Sequence, residues 1–401
     1  MKFLFVHEVN WREKVVFEIH DIPELLSLAG HEVTFIDFPE FPKADPRNRR
    51  FSFKTETALR QSRAHAGSTV DVLTPGGVVP GYLRRFFATI TFVPLLWRTI
   101  KKRKIDLIVL YGVPTNGWQA VLIAKLRGVP VLFRAIDIAH LLRATRFKPF
   151  VKIAEKFVYR NVDHISSHNS ALKNYCVEMG APEGKVSVDY PRLDLEIFKP
   201  GGRDQALAQS LGIEPDKKVV LFRGTLYRFA GIENFIKLFA SYLKSRSDVV
   251  LFIIGNGEAE SAIKKVVSDL SLIRRVIVTS FVDYKLLPDY IRLADVSINT
   301  FIPSLVTHCV LPGRVLQSMA CGIPVVSTRL RGMMNYSGET DAVTYRELDE
   351  SFVQAVIDLL ESPALRHEKA RSGRELVVLK GTWDDFVRDF ARLSESLVAK
   401  E

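Results

Sequence analysis

The segment Val310-Leu-Pro-Gly-Arg-Val-Leu-Gln-Ser-Met-Ala-Cys-Gly322 holds a cation where a helix does not favour one. Pro312 is suited to the first helical position, with its fixed φ and missing donor. The backbone N–H groups of Gly313 and Arg314 then face out of the helix N-terminus. There the dipole disfavours the Arg314 cation by about 0.3–1 kcal/mol. An anion bound at that end, a diphosphate for example, converts the penalty into attraction. The alternative is that Arg314 extends to solvent along its apolar stem. Gln317, three residues on, shares the helix face and has the groups to bond ribose hydroxyls.

Two further loops can approach a phosphate. Arg223-Gly224-Thr225-Leu226-Tyr227-Arg228-Phe229-Ala230-Gly231 offers two glycines for close backbone approach and arginines for phosphate oxygens. Gly255-Asn256-Gly257-Glu258 is a Gly-x-Gly turn that could close on a nucleoside or sugar, or serve only as a turn. In the first half of the chain, polar groups gather where strands should end. They are His7, Glu8 and Asn10, the run Tyr111 to Gly117 with Thr115 or Asn116 as a helix cap, and Arg134, Asp137 and His140. His7, Glu8, Asn10, Arg134 and His140 are candidates for holding an acceptor. Asp137 is the candidate to position or deprotonate an acceptor hydroxyl.

The elements that must position these groups alternate. Short runs rich in Val, Ile, Leu and Phe at 2–6, 32–37, 106–110, 129–133 and 163–167 read as strands. Helices are expected at 15–29 and 116–127. A second series places strands at 218–222, 248–254, 276–280, 295–299 and 324–327, with helices at 232–244, 257–271, 286–293 and 312–321. Near-continuous apolar strands between helices predict parallel sheets covered on both faces, hence an α/β protein of two doubly wound Rossmann-like domains. The expected division is 1–195, then 196–381, then a capped helix from 382 to 401 that packs back on the first domain. Stretch 41–80 reads as the least regular. Ligands are expected at the carboxyl ends of the strands, in a cleft between the facing domains.

Composition narrows the function classes. The 401 residues are 47% hydrophobic, enough apolar material for two cores. Three scattered cysteines form no zinc or CxxC pattern, no metal constellation is visible, and a reducing cytoplasmic setting fits. The opening apolar run is too short for a signal peptide, and nothing reaches the roughly 18 apolar residues of a spanning helix. Residues 43–104 carry 14 basic and 3 acidic side chains, an excess equal to the net charge of +11 for the whole chain. Within them, segment 81–104 mixes Arg84, Arg85, Arg98, Lys101, Lys102, Arg103 and Lys104 with Phe86, Phe87, Phe92 and Trp97. Such a segment suits an anionic membrane surface, each cation contributing about 1 kcal/mol, or else a helix with a buried face and solvated cations. No nucleic-acid motif accompanies it.

In order along the chain, VVLFRGTLYRFAGIENF, LFIIGNGEAESAIKKVV, FVDYKLLPDYIRLADVSINT and LPGRVLQSMACGIPVVS resemble glycosyltransferase family 4 (glycosyl transferases group 1), of the GT-B fold. VEMGAPEGKVSVDYPRLDLEIFKP resembles that family's interdomain crossing, and the tail from GTWDDF resembles its returning helix. The resemblance implies transfer of a sugar from a nucleotide-diphosphate sugar to a hydroxyl acceptor with anomeric retention, the leaving diphosphate helping to take the proton. It implies no cofactor beyond the donor as co-substrate, and diphosphate binding without a metal. Donor-binding positions become Arg223, Gly224, Thr225, Gly255, Asn256, Gly257, Glu258, Gly313 and Gln317, with Arg228 and Arg314 assisting the leaving group. The basic segment favours a lipid-linked or surface-glycan acceptor at the cytoplasmic face of a membrane. Several family anchors differ. The first-loop Arg and Lys fall on Thr225 and Ala230, the paired glutamates on Cys309 and Gln317, and the N-domain His on Ile136. These departures leave open a catalytically inactive subunit that partners another glycosyltransferase, and a nucleotide-sugar isomerase is a further alternative.

Overall fold

All ten expected strands form, and they assemble into two separate sheets. The computed structural model describes residues 1–40, 52–77, 83–142 and 147–399. The chain divides into two compact units. One comprises residues 1–191 with 383–401, and the other 192–382. The division falls four residues before the expected 195/196 boundary.

The first unit runs β1 (Lys2–Val6), α1 (Glu18–Leu28), β2 (Glu32–Ile36), β3 (Glu56–Gln61), β4 (Val70–Thr74), α2 (Arg84–Arg103), β5 (Leu107–Leu110), α3 (Gly117–Arg127), β6 (Val131–Ala135), α4 (Ala139–Leu142), α5 (Lys148–Asn161), β7 (His164–Ser167), α6 (Ser170–Glu178) and β8 (Val186–Val188). Its sheet has the order β3-β4-β2-β1-β5-β6-β7-β8, parallel except for antiparallel β3. Stretch 41–80 is therefore more regular than its composition suggests. Residues 41–51 and 78–80 lie outside the described residues, but the remainder supplies two strands. Strand β3, ETALRQ, is a largely exposed edge strand and carries no apolar run to reveal it. Right-handed crossovers place α2, α3 and α5 on one face of the sheet and α1 on the other. Helix α3 packs against both α2 and α5.

The second unit runs α7 (Gln205–Ser210), β9 (Lys218–Arg223), α8 (Ile232–Ser245), β10 (Val249–Ile254), α9 (Glu260–Asp269), β11 (Val276–Thr279), α10 (Leu287–Ile291), β12 (Val296–Asn299), α11 (Leu305–His308), α12 (Gly313–Ala320), β13 (Val325–Ser327), α13 (Arg331–Ser337), β14 (Val343–Tyr345), α14 (Glu350–Glu361) and α15 (Pro363–Lys380). The sheet is parallel throughout, in the order β11-β10-β9-β12-β13-β14. This is the 3-2-1-4-5-6 order of a doubly wound sheet, with its switch point between β9 and β12. One expected boundary moves. Pro312 is not the first residue of α12 but its N-cap, because its ψ of 108° is extended.

Helix α16 (Trp383–Val398) belongs to the first unit and packs on α1. Trp383, Phe386, Val387, Phe390 and Leu397 join Ile19, Ile22, Leu26 and the inward side chains of β1 and β2 in one core. The rings of Trp383, Phe386 and Phe390 follow one another at centroid spacings of 5.3 and 5.7 Å. No helix among the described residues is long and apolar enough to cross a membrane. Removing a buried ring from this face leaves a cavity. Phe390→Ala is expected to destabilise the first unit by about 3–5 kcal/mol, read as a lower urea midpoint. An unchanged midpoint would show that α16 is not part of that core.

Candidate functional site

At the switch point of the second sheet, the loop after β9 is held by its neighbours through backbone contacts. Gly224 N–H donates to Ile254 O at 2.8 Å, Leu226 N–H to Asn256 O at 2.9 Å, and Ala259 N–H to Leu226 O at 2.9 Å. A Cβ on Gly255 would collide with the Gly224 carbonyl, and one on Gly257 with the backbone of Leu226. The two glycines of the expected Gly-x-Gly turn thus let one loop lie against the next. Asn256, Gly257 and Glu258 remain exposed at its tip. Glu258 accepts the Arg228 N–H at 3.2 Å, and the Arg228 side chain is exposed. On the other side of the loop, Thr300 donates to Ala230 O at 2.7 Å and Ile302 N–H to Phe229 O at 2.9 Å. Ala230 and Cys309, where the family resemblance expects charged groups, are both buried.

Two arginines meet under this loop. Arg223, at the end of β9, is 8% exposed and donates through Nη2 to the Gln317 side-chain oxygen on α12. Arg314, in the first turn of α12, lies between two aromatic rings, 4.8 Å from the centroid of Phe222 and 4.6 Å from that of Phe301. Its guanidinium occupies the space that a side chain at position 224 would need. Gly224 is required twice over, since its φ is also +122°. Arg314 therefore does not extend to solvent. Burial pulls it down to about 9, with the nearby Arg223 charge adding to the effect. Burial likewise brings Arg223 down to about 10. Among the described residues, Arg314 Nη1 and Arg223 Nε are buried without a hydrogen-bond acceptor. Two unneutralised guanidinium groups at a helix N-terminus are electrostatically arranged for an anion. Thr225 is partly exposed and Gly313 is exposed.

In the first unit His7 and Glu8 lie at the switch point between β1 and β5, while Arg134, Asp137 and His140 lie in or just after the next strand, β6. His7 and Tyr111 face each other across the switch point with ring centroids 5.3 Å apart. Glu8 is buried, accepting Thr115 N–H at 2.6 Å, the Thr115 hydroxyl at 2.8 Å and Arg85 Nη1 at 2.7 Å. Asn10 is buried too, donating to Glu40 O and accepting from the N–H groups of Arg12 and Glu13. Both side chains build loops. Arg134 is 0% exposed. It forks onto Glu18 through Nε and Nη2, each at 3.1 Å, and its Nη1 reaches Ser166 Oγ and Asp189 O. The reason is topological. Strand β6 places Arg134 beneath the first turn of α1, where Glu18 is its counter-charge. His140 Nδ1 lies 2.6 Å from Glu155, on α5. Asp137 and His7 stay partly exposed.

One cluster was invisible in the sequence. His168, just past β7, lies 2.6 Å from Glu18 through Nε2. Burial alone would raise the Glu18 carboxyl, but Arg134 and His168 together hold it well below the usual range. Residues 18, 134 and 168 have no spacing that announces them. Among the described residues, no three His, Cys, Asp or Glu side chains are grouped to hold a metal ion.

Two largely parallel sheets, the second in dinucleotide-fold order with a pair of arginines at its reversal, define a doubly wound α/β protein. Residues 204–376 match the family described as Glycosyl transferases group 1, and residues 18–190 match Glycosyl transferase 4-like domain. The chain belongs to this glycosyltransferase family, group 1 or family 4, with the GT-B fold. Among curated relatives, an uncharacterized glycosyltransferase of Methanocaldococcus jannaschii is 22% identical over 250 residues, 62% of each chain. D-inositol 3-phosphate glycosyltransferase 1 of Catenulispora acidiphila is 26% identical over 267 residues, again 62% of each. The matched region thus spans about three fifths of these relatives. Among solved structures, sucrose-phosphate synthase from Thermosynechococcus elongatus superposes with a TM-score of 0.77 at 17% identity, covering 100% of both chains. Anabaena HepE in complex with UDP gives 0.74 at 15% identity, covering 99% of this chain and 100% of that one.

The lowered Arg314 would give anion binding here a pH signature. A bound anion favours the protonated guanidinium and raises it above about 9. Affinity for inorganic sulfate, which has no ionisation of its own in this range, is therefore expected to be flat near neutrality. It should fall as pH rises through 9, where binding must take up a proton. Calorimetry in buffers of different ionisation enthalpy measures that uptake. Arg314→Gln should remove it, and uptake unchanged in Arg314→Gln would assign the titration elsewhere.

Proposed function

We propose that the chain transfers a sugar from a nucleotide-diphosphate donor to a hydroxyl acceptor, with retention of anomeric configuration and without a metal. The observation that carries this reading is the unneutralised pair Arg223 and Arg314 beside the start of α12, each with a buried N–H that meets no acceptor. A diphosphate there meets two guanidinium groups and the backbone N–H groups of Gly313 and Arg314. The same groups stabilise the negative charge that grows on the leaving diphosphate. In this reading Arg223 and Arg314 replace the first-loop cations that Thr225 and Ala230 do not provide. The exposed Arg228 adds charge from the loop above. Gln317, already bonded to Arg223, stands where it can meet the ribose. The UDP in the HepE structure supports a nucleotide donor for a chain of this fold.

The acceptor is assigned to the first unit. Asp137 orients the hydroxyl, with His7 beside Tyr111 at the sheet's own switch point. The leaving diphosphate takes part in proton removal. Glu8, Asn10, Arg134 and His140 act through the loops they hold, as positioning residues. The cationic helix α2 supports a lipid-linked or surface-glycan acceptor and a position at the cytoplasmic face of a membrane.

Thermal unfolding against a panel of nucleoside diphosphates and sugar nucleotides tests the donor assignment. A ligand at 100 times its Kd stabilises by about 2.7 kcal/mol, a shift of several degrees. One nucleotide is expected to raise Tm selectively. Arg314→Ala and Arg223→Ala should each weaken it by roughly 1.5–3 kcal/mol, the loss of a charged hydrogen bond, and Arg228→Ala by less. Asp137→Asn should keep the shift and lose turnover by about 100-fold or more. A panel without any shift would sink the reading and favour an inactive partner subunit, as the residues at Thr225, Ala230, Cys309, Gln317 and Ile136 would then imply.

A further inference from the structure

Helix α2 does not stand alone. Its outward stripe includes Phe86, Ile90 and Trp97, at the spacing of one helix face. Beside it α3 presents Leu126, and beyond α3 helix α5 presents Phe150 and Ile153. These six side chains are between 41% and 75% exposed. The opposite sides of the same helices supply the core, through Phe92 and Leu96, Ala120 and Ile123, Val151 and Val158. The exposed residues are therefore a second apolar face and not the edge of the first. Phe92, which the sequence offers to a lipid surface, belongs to the core.

The charges are as one-sided as the apolar groups. Helices α2, α3 and α5 carry twelve Lys and Arg, and their one acid, Glu155, is buried against His140 and Tyr159. Arg85 and Arg103 are engaged by Glu8 and Asp71. Six lysines, Lys101, Lys102, Lys125, Lys148, Lys152 and Lys156, are exposed. The Arg127 guanidinium lies 4.3 Å over the Trp97 ring, so aromatic and cation share one rim. Large exposed apolar patches on a soluble fold mark an interaction surface. Protein interfaces are depleted in lysine. Aromatic and aliphatic side chains set among lysines, with no exposed acid, are the chemistry of an anionic lipid headgroup layer.

We infer that α2, α3 and α5 together form one docking face for an anionic bilayer, with Phe150 and Ile153 of α5 and Phe86 and Ile90 of α2 entering the headgroup boundary on either side of α3. This deepens the membrane reading given above, which rests on α2 alone. It makes α5 an equal contributor that the basic segment 81–104 does not reveal.

Co-sedimentation of the full chain with phosphatidylcholine vesicles, with and without phosphatidylglycerol, tests it. Binding is expected only with phosphatidylglycerol, and it should weaken with salt. Phe150→Ser with Ile153→Ser should lower partitioning by at least about tenfold, as should Phe86→Ser with Ile90→Ser. Lys148→Gln, Lys152→Gln and Lys156→Gln combined should reduce binding to the anionic vesicles. Each variant should retain the wild-type Tm, since the altered residues are exposed. If the α5 pair binds as wild type while the α2 pair does not, the three-helix face is overturned and α2 alone remains. If the wild type binds no anionic vesicle, both readings fall. Loss of a dimer in the α5 variant, without vesicle binding by the wild type, would reassign the face to self-association.

Discussion

Arg223, which is buried, and Arg314, partly exposed but with its Nη1 buried, lie beside one another at the point where the second sheet reverses its strand order. Like charges in a poorly hydrated site repel, and neither finds a carboxylate among the described residues. The surroundings are shaped to tolerate them. Phe222 and Phe301 offer their π faces to Arg314, Gln317 accepts from Arg223, and Gly224 gives up its side chain to make room. The loop above them cannot relax away, because it is hydrogen-bonded to the strand ends on both sides. Holding these cations together carries a desolvation and repulsion penalty that an anion, under the function proposed above, would offset.

The first unit solves its charge problem in the opposite way. Arg134 is as deeply buried as any side chain in the molecule, yet Glu18, Ser166 and the Asp189 carbonyl satisfy it. Truncating one partner of such a pair leaves the other charge buried and unpaired. Arg134 and Arg314 look alike in sequence, each lying close to a strand end or helix start. Their surroundings neutralise one and leave the other without a counter-charge among the described residues.

This contrast shows where sequence reasoning stops. The long strands were legible because Val, Ile, Leu and Phe fill them almost without interruption, as in KVVLFR and VVLFII. The exposed edge strand ETALRQ and the three-residue strands VSV and VTY were not, since pairing and not composition makes them strands. The meeting of two arginines was partly legible, through Arg314 as an unfavourable cation at a helix start. The tasks of Gly255 and Gly257 were not, because the backbone they admit comes from a loop about thirty residues away. Nor was the Glu18–His168 contact, which joins residues 150 positions apart.

Helix α16 completes the core of a unit whose other parts all precede residue 192. The first unit is therefore interrupted by the second. During synthesis from the N-terminus, the apolar side of α1 and its strands stays uncovered until the whole intervening unit has left the ribosome. The second unit is continuous in sequence and can close while the first still waits. Order of manufacture and order of completion are thus reversed, and the half made first depends on the other half being finished.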